Sequence, residues 1–327
     1  MSIQTQQLRA VIWPLLNPET GLLHVDSIAW AALERTAGAY DFAPVRDAIG
    51  RAKDIKRCAI LHIEPDAPAF CPDAVGGYIR LMQALGREFG AEASILGIDA
   101  CCPGGEASAS REDMVAVARA MTEAFPGARL FVPAGSRLDG ILRENKGLIV
   151  TPENVEAAEA AWPTLPLRMD VDPADGHAVD FALAHHVSIL ACKTGAGCNA
   201  PSHAGHRFVV RSVTVDDGEK AQGRVRASVT VANAGALPCY QPADFMLRLS
   251  GSDVPDVRAY PMSLRAADVG PGCERTVEMA LDVTGLVHGE YDVHVGLFLA
   301  GTGYPVSFGI EGRISDGYYE GRLIQTL

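Results

Sequence analysis

Short apolar runs alternate with segments of helical period through the first 193 residues, and that alternation confines this part of the chain to a sheet of parallel strands. The runs are residues 9–16 (RAVIWPLL), 28–33, 58–65 (CAILHIEP), 94–100, 128–133 (ARLFVP), 147–152 (GLIVTP), 165–172 (LPLRMDVD) and 187–193 (VSILACK). Between them lie helical segments at 41–53, 78–89, 113–125, 137–144, 153–161 and 178–185. In the first of these, Phe42, Val45, Ile49 and Ala52 fall on one face. Eight strands with intervening helices predict a compact (β/α)8 TIM barrel. An open doubly wound sheet is the runner-up. No GxGxxG follows the first run, so no dinucleotide site and no cofactor are expected.

Past GAGCNAPSHAGH (195–206) the period changes to two, in FVVRSVTV, GRVRASVTVANAG, FMLRLSG, ERTVEMALDV and GEYDVHVGLFLA. Turn-forming clusters separate these runs, as in an antiparallel β-sandwich. The expected domains are therefore 1–204, the barrel, and 205–327, the sandwich.

The net charge of −12 and the lack of a Lys/Arg run exclude a nucleic-acid partner and argue against an anionic membrane surface. No apolar run approaches the ~18 residues that span a bilayer. The start MSIQTQQLRA has no signal-peptide pattern, which predicts a cytoplasmic protein. A homo-oligomer is compatible with the sequence. Cys58, Cys101 and Cys192 lie in apolar runs, where a reduced cysteine acts as a small hydrophobe. No CxxC occurs, so no structural metal is expected.

Active sites of (β/α)8 barrels lie at the C-terminal ends of the strands. Strand parity says which side chains reach that rim from inside. Leu165, Leu167, Met169 and Val171 are apolar and face the helices, so Arg168, Asp170 and Asp172 point inward. The same reasoning turns Ala59, Leu61 and Ile63 outward and His62 and Glu64 inward. In the fourth run Leu96, Ile98 and Ala100 are expected outward and Asp99 inward. The run ends in a Pro-Gly-Gly loop carrying Glu106, and Trp13 ends the first run. The predicted rim is Trp13, His62, Glu64, Asp99, Glu106, Arg168, Asp170 and Asp172. Crowded acids push one another's pKa values apart, which suits acid–base work. The alternative is an internal network in which Arg168 neutralises Asp170 and Asp99 while His62 bonds Glu64.

Residues 17–42, NPETGLLHVDSIAWAALERTAGAYDF, resemble the opening of glycosidase-type TIM barrels through Trp30, Leu33, Glu34, Gly38, Tyr40, Asp41 and Phe42. The whole chain resembles an uncharacterised bacterial family with a β-galactosidase-like barrel before a C-terminal β-sandwich. The sandwich part is carried by VANAGALPCY (231–240), HGEYDVHVGL (288–297) and EGRISDGYYEGRL (311–323). The resemblance implies a glycoside hydrolase-like protein with a carbohydrate ligand. Glu106 takes the general acid/base position, though Gly105 precedes it where an Asn is usual. Asp170 or Asp172 stands where the nucleophile is a Glu. Trp13, His62, Glu64, Asp99 and Arg168 would contact sugar. The competing reading is an inactive carbohydrate-binding or scaffold protein that retains the barrel. A metal-dependent hydrolase built from His62, Glu64, Asp170 and His177 is a third, and it lacks the His-x-His that such sites place after the first strand.

Overall fold

The computed structural model describes residues 24–54, 59–92, 94–142, 145–170, 175–191, 205–216, 223–240, 242–251, 257–300, 303, 305, 306, 308 and 316–326. They fall into two compact units, one within 18–200 and one within 201–327. The strand expected at 9–16 and the boundary expected at 204–205 involve residues outside this set.

In the first unit, β1 (His24–Ala29) runs into a helical turn, α1 (Trp30–Leu33), then a small hairpin, β2 (Glu34–Thr36) and β3 (Ala39–Tyr40). Next come α2 (Ala43–Asp54), β4 (Ala59–Glu64), α3 (Ala74–Phe89), β5 (Ile95–Asp99) and α4 (Arg111–Ala124). The unit continues through β6 (Arg129–Pro133), β7 (Lys146–Val150), α5 (Val155–Ala158), β8 (Leu167–Asp170), α6 (Gly176–Ala184) and β9 (Ile189–Ala191). Seven of the strands form one parallel, curled sheet in the order β1-β4-β5-β6-β7-β8-β9. Every neighbour is next along the chain apart from the hairpin. This is the order that right-handed crossovers build when all helices lie on one side.

The two faces of the sheet hold different cores. Ala59, Leu61, Ile63, Leu130, Val132, Leu148, Val150, Leu167 and Met169 join the buried helix residues in one large cluster. Ile60, Leu96, Phe131 and Ile189 form a second cluster on the opposite, inner face. Phe131 is fully buried there between two neighbouring strands, and both carry glycine where they meet its ring. A Cβ on Gly97 would stand 2.4 Å from the ring, and one on Gly147 2.3 Å.

Three local expectations are corrected. The strand expected at 28–33 is His24–Ala29, and Trp30–Leu33 is helical. The Trp30 indole N–H donates to Glu34 one turn on (2.7 Å), which closes that turn. Leu96, expected to face the helices, faces inward, because a bulge slips the β4–β5 register between Ala59/Ile95 and Ile60/Gly97. The helix expected near 137–144 is a run of turns over its described part, 137–142, where Asp139 bonds the Gly135 N–H and ion-pairs with Lys146 instead of continuing a helical ladder.

The residues that carry the resemblance in this unit form a clip. Buried Trp30 packs edge-on against Tyr78 at 5.5 Å. Buried Glu34 takes the Trp30 indole on one oxygen and the Gly38 N–H (2.7 Å) on the other. Gly38 has φ +76°, a conformation that suits a residue without a Cβ. Asp41 accepts from the Ala43 N–H at the start of α2, and Phe42 meets Phe89 of α3 edge-on.

The second unit has a three-stranded sheet and a four-stranded sheet. The first is ordered β10-β11-β14, from β10 (Phe208–Asp216), β11 (Arg224–Asn233) and β14 (Glu274–Asp282). The second is ordered β13-β12-β15-β16, from β12 (Ala243–Gly251), β13 (Val257–Arg265), β15 (Glu290–Leu299) and β16 (Tyr319–Thr326). All pairings are antiparallel. Alternate residues of both sheets, such as Val225, Val229, Phe245, Leu247, Val293 and Val295, bury one shared cluster. Strand β13 alternates in burial, with Met262 and Leu264 inward, and contains Pro261. An edge position tolerates that proline, since its missing N–H is not needed by a further strand. Asn233, from VANAGALPCY, ties the loops together. Its Oδ1 accepts from the Arg207 and Gly235 N–H groups, and its Nδ2 donates to the carbonyls of Leu237 and Val269.

Replacing Gly97 by Ala should destabilise the first unit by about 1–3 kcal/mol, the usual penalty for overpacking. Urea denaturation checks this. Measured in a Phe131→Leu background, the Gly97→Ala penalty should shrink without vanishing, since the new Cβ also stands 2.9 Å from the Arg129 carbonyl.

Candidate active site at the C-terminal strand ends

Strand parity delivers the polar residues of the inner face to the C-terminal ends of β1, β4, β5 and β8. His62 and Glu64 come from β4, Asp99 from β5, and Arg168 and Asp170 from β8. Asp99 is the hub. One of its oxygens bonds an Nη of Arg168, and the other lies 3.1 Å from His62 Nδ1. The second Nη of Arg168 reaches Asp170 at 3.1 Å. Arg168 is 3% exposed and Asp99 5%, whereas the Asp170 side chain is 30% exposed. The Arg168 guanidinium sits 6.0 Å from the centre of the Phe131 ring, within cation–π range.

The Arg168–Asp99 bond joins strands that are not neighbours. Between β5 and β8 stand β6 and β7. On a flat sheet β5 and β8 would be three strand spacings apart, about 14 Å. An arginine bridges them only because the sheet curls, so the ion pair is a chord across the inside of the curve.

His62 is held protonated. The hydrogen bond to Asp99 is the main cause, that to Cys101 the second, and together they outweigh partial burial and raise its pKa to about 10. Cys101 Sγ lies 4.0 Å from the same Nδ1. The reading of Cys101 as a small hydrophobe in an apolar run is corrected. It stands two residues beyond Asp99, shares its parity, and is partly exposed beside an imidazolium. That parity was available in the sequence as the signal for it. Burial pushes the neighbouring Cys102 thiol up. Cys58 and Cys192 lie outside the described residues.

The other expected site residues are placed as follows. Glu64 accepts from the Ser27 hydroxyl at 2.6 Å, so His62 bonds Asp99 and not Glu64. Glu106 is partly buried in its loop, where Oε2 accepts the backbone N–H of Arg137 at 2.8 Å. The Arg137 guanidinium returns to the carbonyls of Glu106 and Ala109. Glu106 is thus a clasp between the β5–α4 and β6–β7 connections. Among the described contacts nothing joins it to Asp170. Trp13 and Asp172 lie outside the described residues. His177 is exposed at the start of α6, where its N–H is bonded by Asp175. Among the described residues no group of three His, Cys, Asp or Glu side chains is arranged to hold a metal ion. Nor is any helix there long and apolar enough to cross a membrane.

No family model and no curated protein matches the sequence. Solved structures with some likeness include three glycoside-cleaving catalytic domains. The catalytic domain of the major endoglucanase from Xanthomonas campestris pv. campestris is 10% identical, covering 54% of this chain and 77% of its own, at TM-score 0.35. The catalytic core of xylanase A is 11% identical, covering 48% and 73%, also at 0.35. The endo-β-1,4-mannanase from Thermotoga petrophila is 8% identical, covering 93% and 96%, at 0.34. These are weak superpositions, and the chemistry of the site follows from this chain's own residues.

A group whose pKa rises on folding stabilises the fold fully below its unfolded value and loses that contribution as pH climbs through the folded value. For His62 the window runs from about 6.5 up to about 10. Wild type should therefore be more resistant to urea than His62→Gln at pH 6, and the gap should narrow steadily toward pH 10. Urea midpoints at four or five pH values test this, and a gap independent of pH would contradict it.

Proposed function

We propose that the first unit is a glycosidase-like (β/α)8 barrel whose C-terminal rim binds a carbohydrate without hydrolysing it through Glu106 and Asp170. The second unit we read as a β-sandwich appended to it. The observation that carries the reading is that Glu106 and Asp170, the two expected catalytic carboxylates among the described residues, are each bonded within the fold. Asp170 pairs with Arg168, and the Glu106 carboxylate clasps the Arg137 N–H.

Hydrolysis with either stereochemical outcome needs two carboxyl groups flanking the scissile bond, one of them offering a proton to the leaving oxygen. A carboxylate accepting a backbone N–H from a neighbouring connection is set up as a structural acceptor. The bond from the buried Arg168 guanidinium to one oxygen of Asp170 holds that carboxylate in one orientation, with its other oxygen left as an acceptor.

Carbohydrate recognition makes lighter demands. Each sugar hydroxyl is both donor and acceptor, so a ligand needs acceptors and donors side by side. Glu64, with Ser27 on one oxygen, and the partly exposed Asp170 supply acceptors, while protonated His62 supplies a donor. Their placement at the C-terminal strand ends is where parallel α/β folds take ligands. The sequence resemblance to glycosidase-type barrels points to the same ligand class.

The test is calorimetric titration of the full chain with neutral tetrasaccharides of glucose, xylose and mannose, alongside a reducing-end assay. Binding should weaken by about tenfold or more in Glu64→Gln, the scale of one lost charged hydrogen bond, and stay unchanged in Glu106→Gln, with no new reducing ends. Release of reducing ends that falls about a hundredfold in both Glu106→Gln and Asp170→Asn would overturn the binding-only reading and make the protein a hydrolase. No binding of any probe would remove the carbohydrate.

A further inference from the structure

We propose that Phe70 is the apolar platform on which the rim takes a sugar ring, and that the ring is a pyranose with equatorial hydroxyls, as in a β-linked glucose or xylose unit. This inference rests on the carbohydrate reading and adds to it a specificity-determining residue and a ring shape.

Among the described residues Phe70 is the one exposed aromatic side chain, at 37%. A single exposed apolar side chain is ordinary; its mounting and its neighbours distinguish this one. It lies in the connection from β4 to α3, past Glu64 at the C-terminal end of the strand. That connection is stiff. Pro65, Pro68 and Pro72 each fix a backbone φ. Pro68 is buried, and its carbonyl accepts the Cys71 N–H at 2.8 Å, which closes a turn around Phe70. Asp73 caps α3 by accepting the Gly76 N–H at 2.9 Å. Cys71 is turned toward α3, where its Sγ and the Trp30 ring both crowd Gly77 so closely that a Cβ there would meet them. Its chain neighbour Phe70 is left on the solvent side of the turn.

The contact of Cys71 with Trp30 and Gly77 also sets the turn beside the ends of β1 and β4. Trp30 directly follows Ala29, and Ala29 is the register partner of Glu64. Ala29 is exposed and Glu64 partly so. One oxygen of Glu64 accepts the hydroxyl of Ser27, which is itself exposed. Two neighbouring strand ends and the turn beside them thus carry a phenyl ring, a methyl group, a hydroxyl and a carboxylate. A sugar ring is amphipathic in the same way. When its hydroxyls are equatorial they line the edge, and axial C–H bonds cover both faces. Those hydrogens are weakly positive and suit the negative face of an aromatic ring. The edge hydroxyls need partners such as the Glu64 carboxylate and the Ser27 hydroxyl. Phe70 has neither donor nor acceptor, so it reads the face of the ring while Glu64 reads its edge.

The experiment is calorimetric titration of the full chain with β-1,4-linked tetrasaccharides of glucose, xylose and mannose, comparing wild type with Phe70→Ala, Phe70→Leu and Phe70→Tyr. Phe70→Ala should weaken the glucose and xylose tetrasaccharides about fivefold, the scale of one aromatic contact. Phe70→Leu keeps an apolar side chain without a π face and should lose a similar amount, whereas Phe70→Tyr should stay within about twofold of wild type. Mannose carries an axial hydroxyl that obstructs one face of each ring, so its tetrasaccharide should lose less. Urea midpoints should be unchanged in all three variants, because the side chain is exposed. Phe70→Ala binding the glucose and xylose tetrasaccharides as wild type does, while Glu64→Gln weakens them, would overturn the platform and leave the carbohydrate reading standing. An equal loss for all three sugars would overturn the preference for equatorial hydroxyls. No binding of any tetrasaccharide by wild type would remove both readings.

Discussion

The ion pair between Arg168 and Asp99 holds the inner face of the parallel sheet in its curve. It spans from β8 to β5, past two intervening strands, with both side chains almost wholly removed from water. Burying two charges costs several kcal/mol each unless the geometry is good and the remaining donors and acceptors are met. Asp99 meets that condition by placing a cation on each oxygen, Arg168 on one and His62 on the other. Arg168 extends the network to Asp170 and rests over Phe131. Phe131 in turn fits only because β5 and β7 carry Gly97 and Gly147 beside its ring. The glycines, the aromatic floor, the arginine and the three polar groups above it form one column that reads from the middle of the sheet to its rim.

That column fixes the orientation of the polar groups at these positions. Arg168 bonds Asp99 and Asp170 together, so one buried guanidinium orients two of the strand-end carboxylates. It also explains the protonated state of His62. A histidine facing an aspartate shared with a buried arginine still gains from its charge, because Asp99 has a second oxygen to offer.

Much of the fold is legible in the sequence, because hydrophobic parity is a strong signal in buried strands. The runs at 58–65, 128–133, 147–152, 165–172 and 187–193 each contain an observed strand, and the same alternation turns His62, Asp99, Arg168 and Asp170 inward. What was not legible depends on contacts between distant residues or on single-residue slips. The bulge that turns Leu96 inward is invisible to parity, which assumes a regular register. Trp30–Leu33 is apolar enough to pass for a strand until the bond from Trp30 to Glu34 is seen. The role of Glu106 depends on Arg137, which is 31 residues away in sequence. The residues of the resemblance motif are structural. Trp30, Glu34, Gly38 and Asp41 close a turn, a hairpin and a helix start, so they speak for the fold and say little about chemistry. Asn233 does the same in the second unit, where four hydrogen bonds from one amide knit three loop segments.

Arg168 and Asp99 act as one unit that shapes the inner face, and everything at the rim depends on that coupling. A double-mutant cycle tests it most directly, with Asp99→Asn, Arg168→Met and the pair compared by urea denaturation at neutral pH. Residues in one buried network couple by about 0.5–3 kcal/mol, whereas independent sites add to within about 0.5 kcal/mol. Coupling near the top of that range is expected, with the double variant more stable than the sum of the single losses. Additivity within about 0.5 kcal/mol would contradict it and leave the chord a contact without consequence.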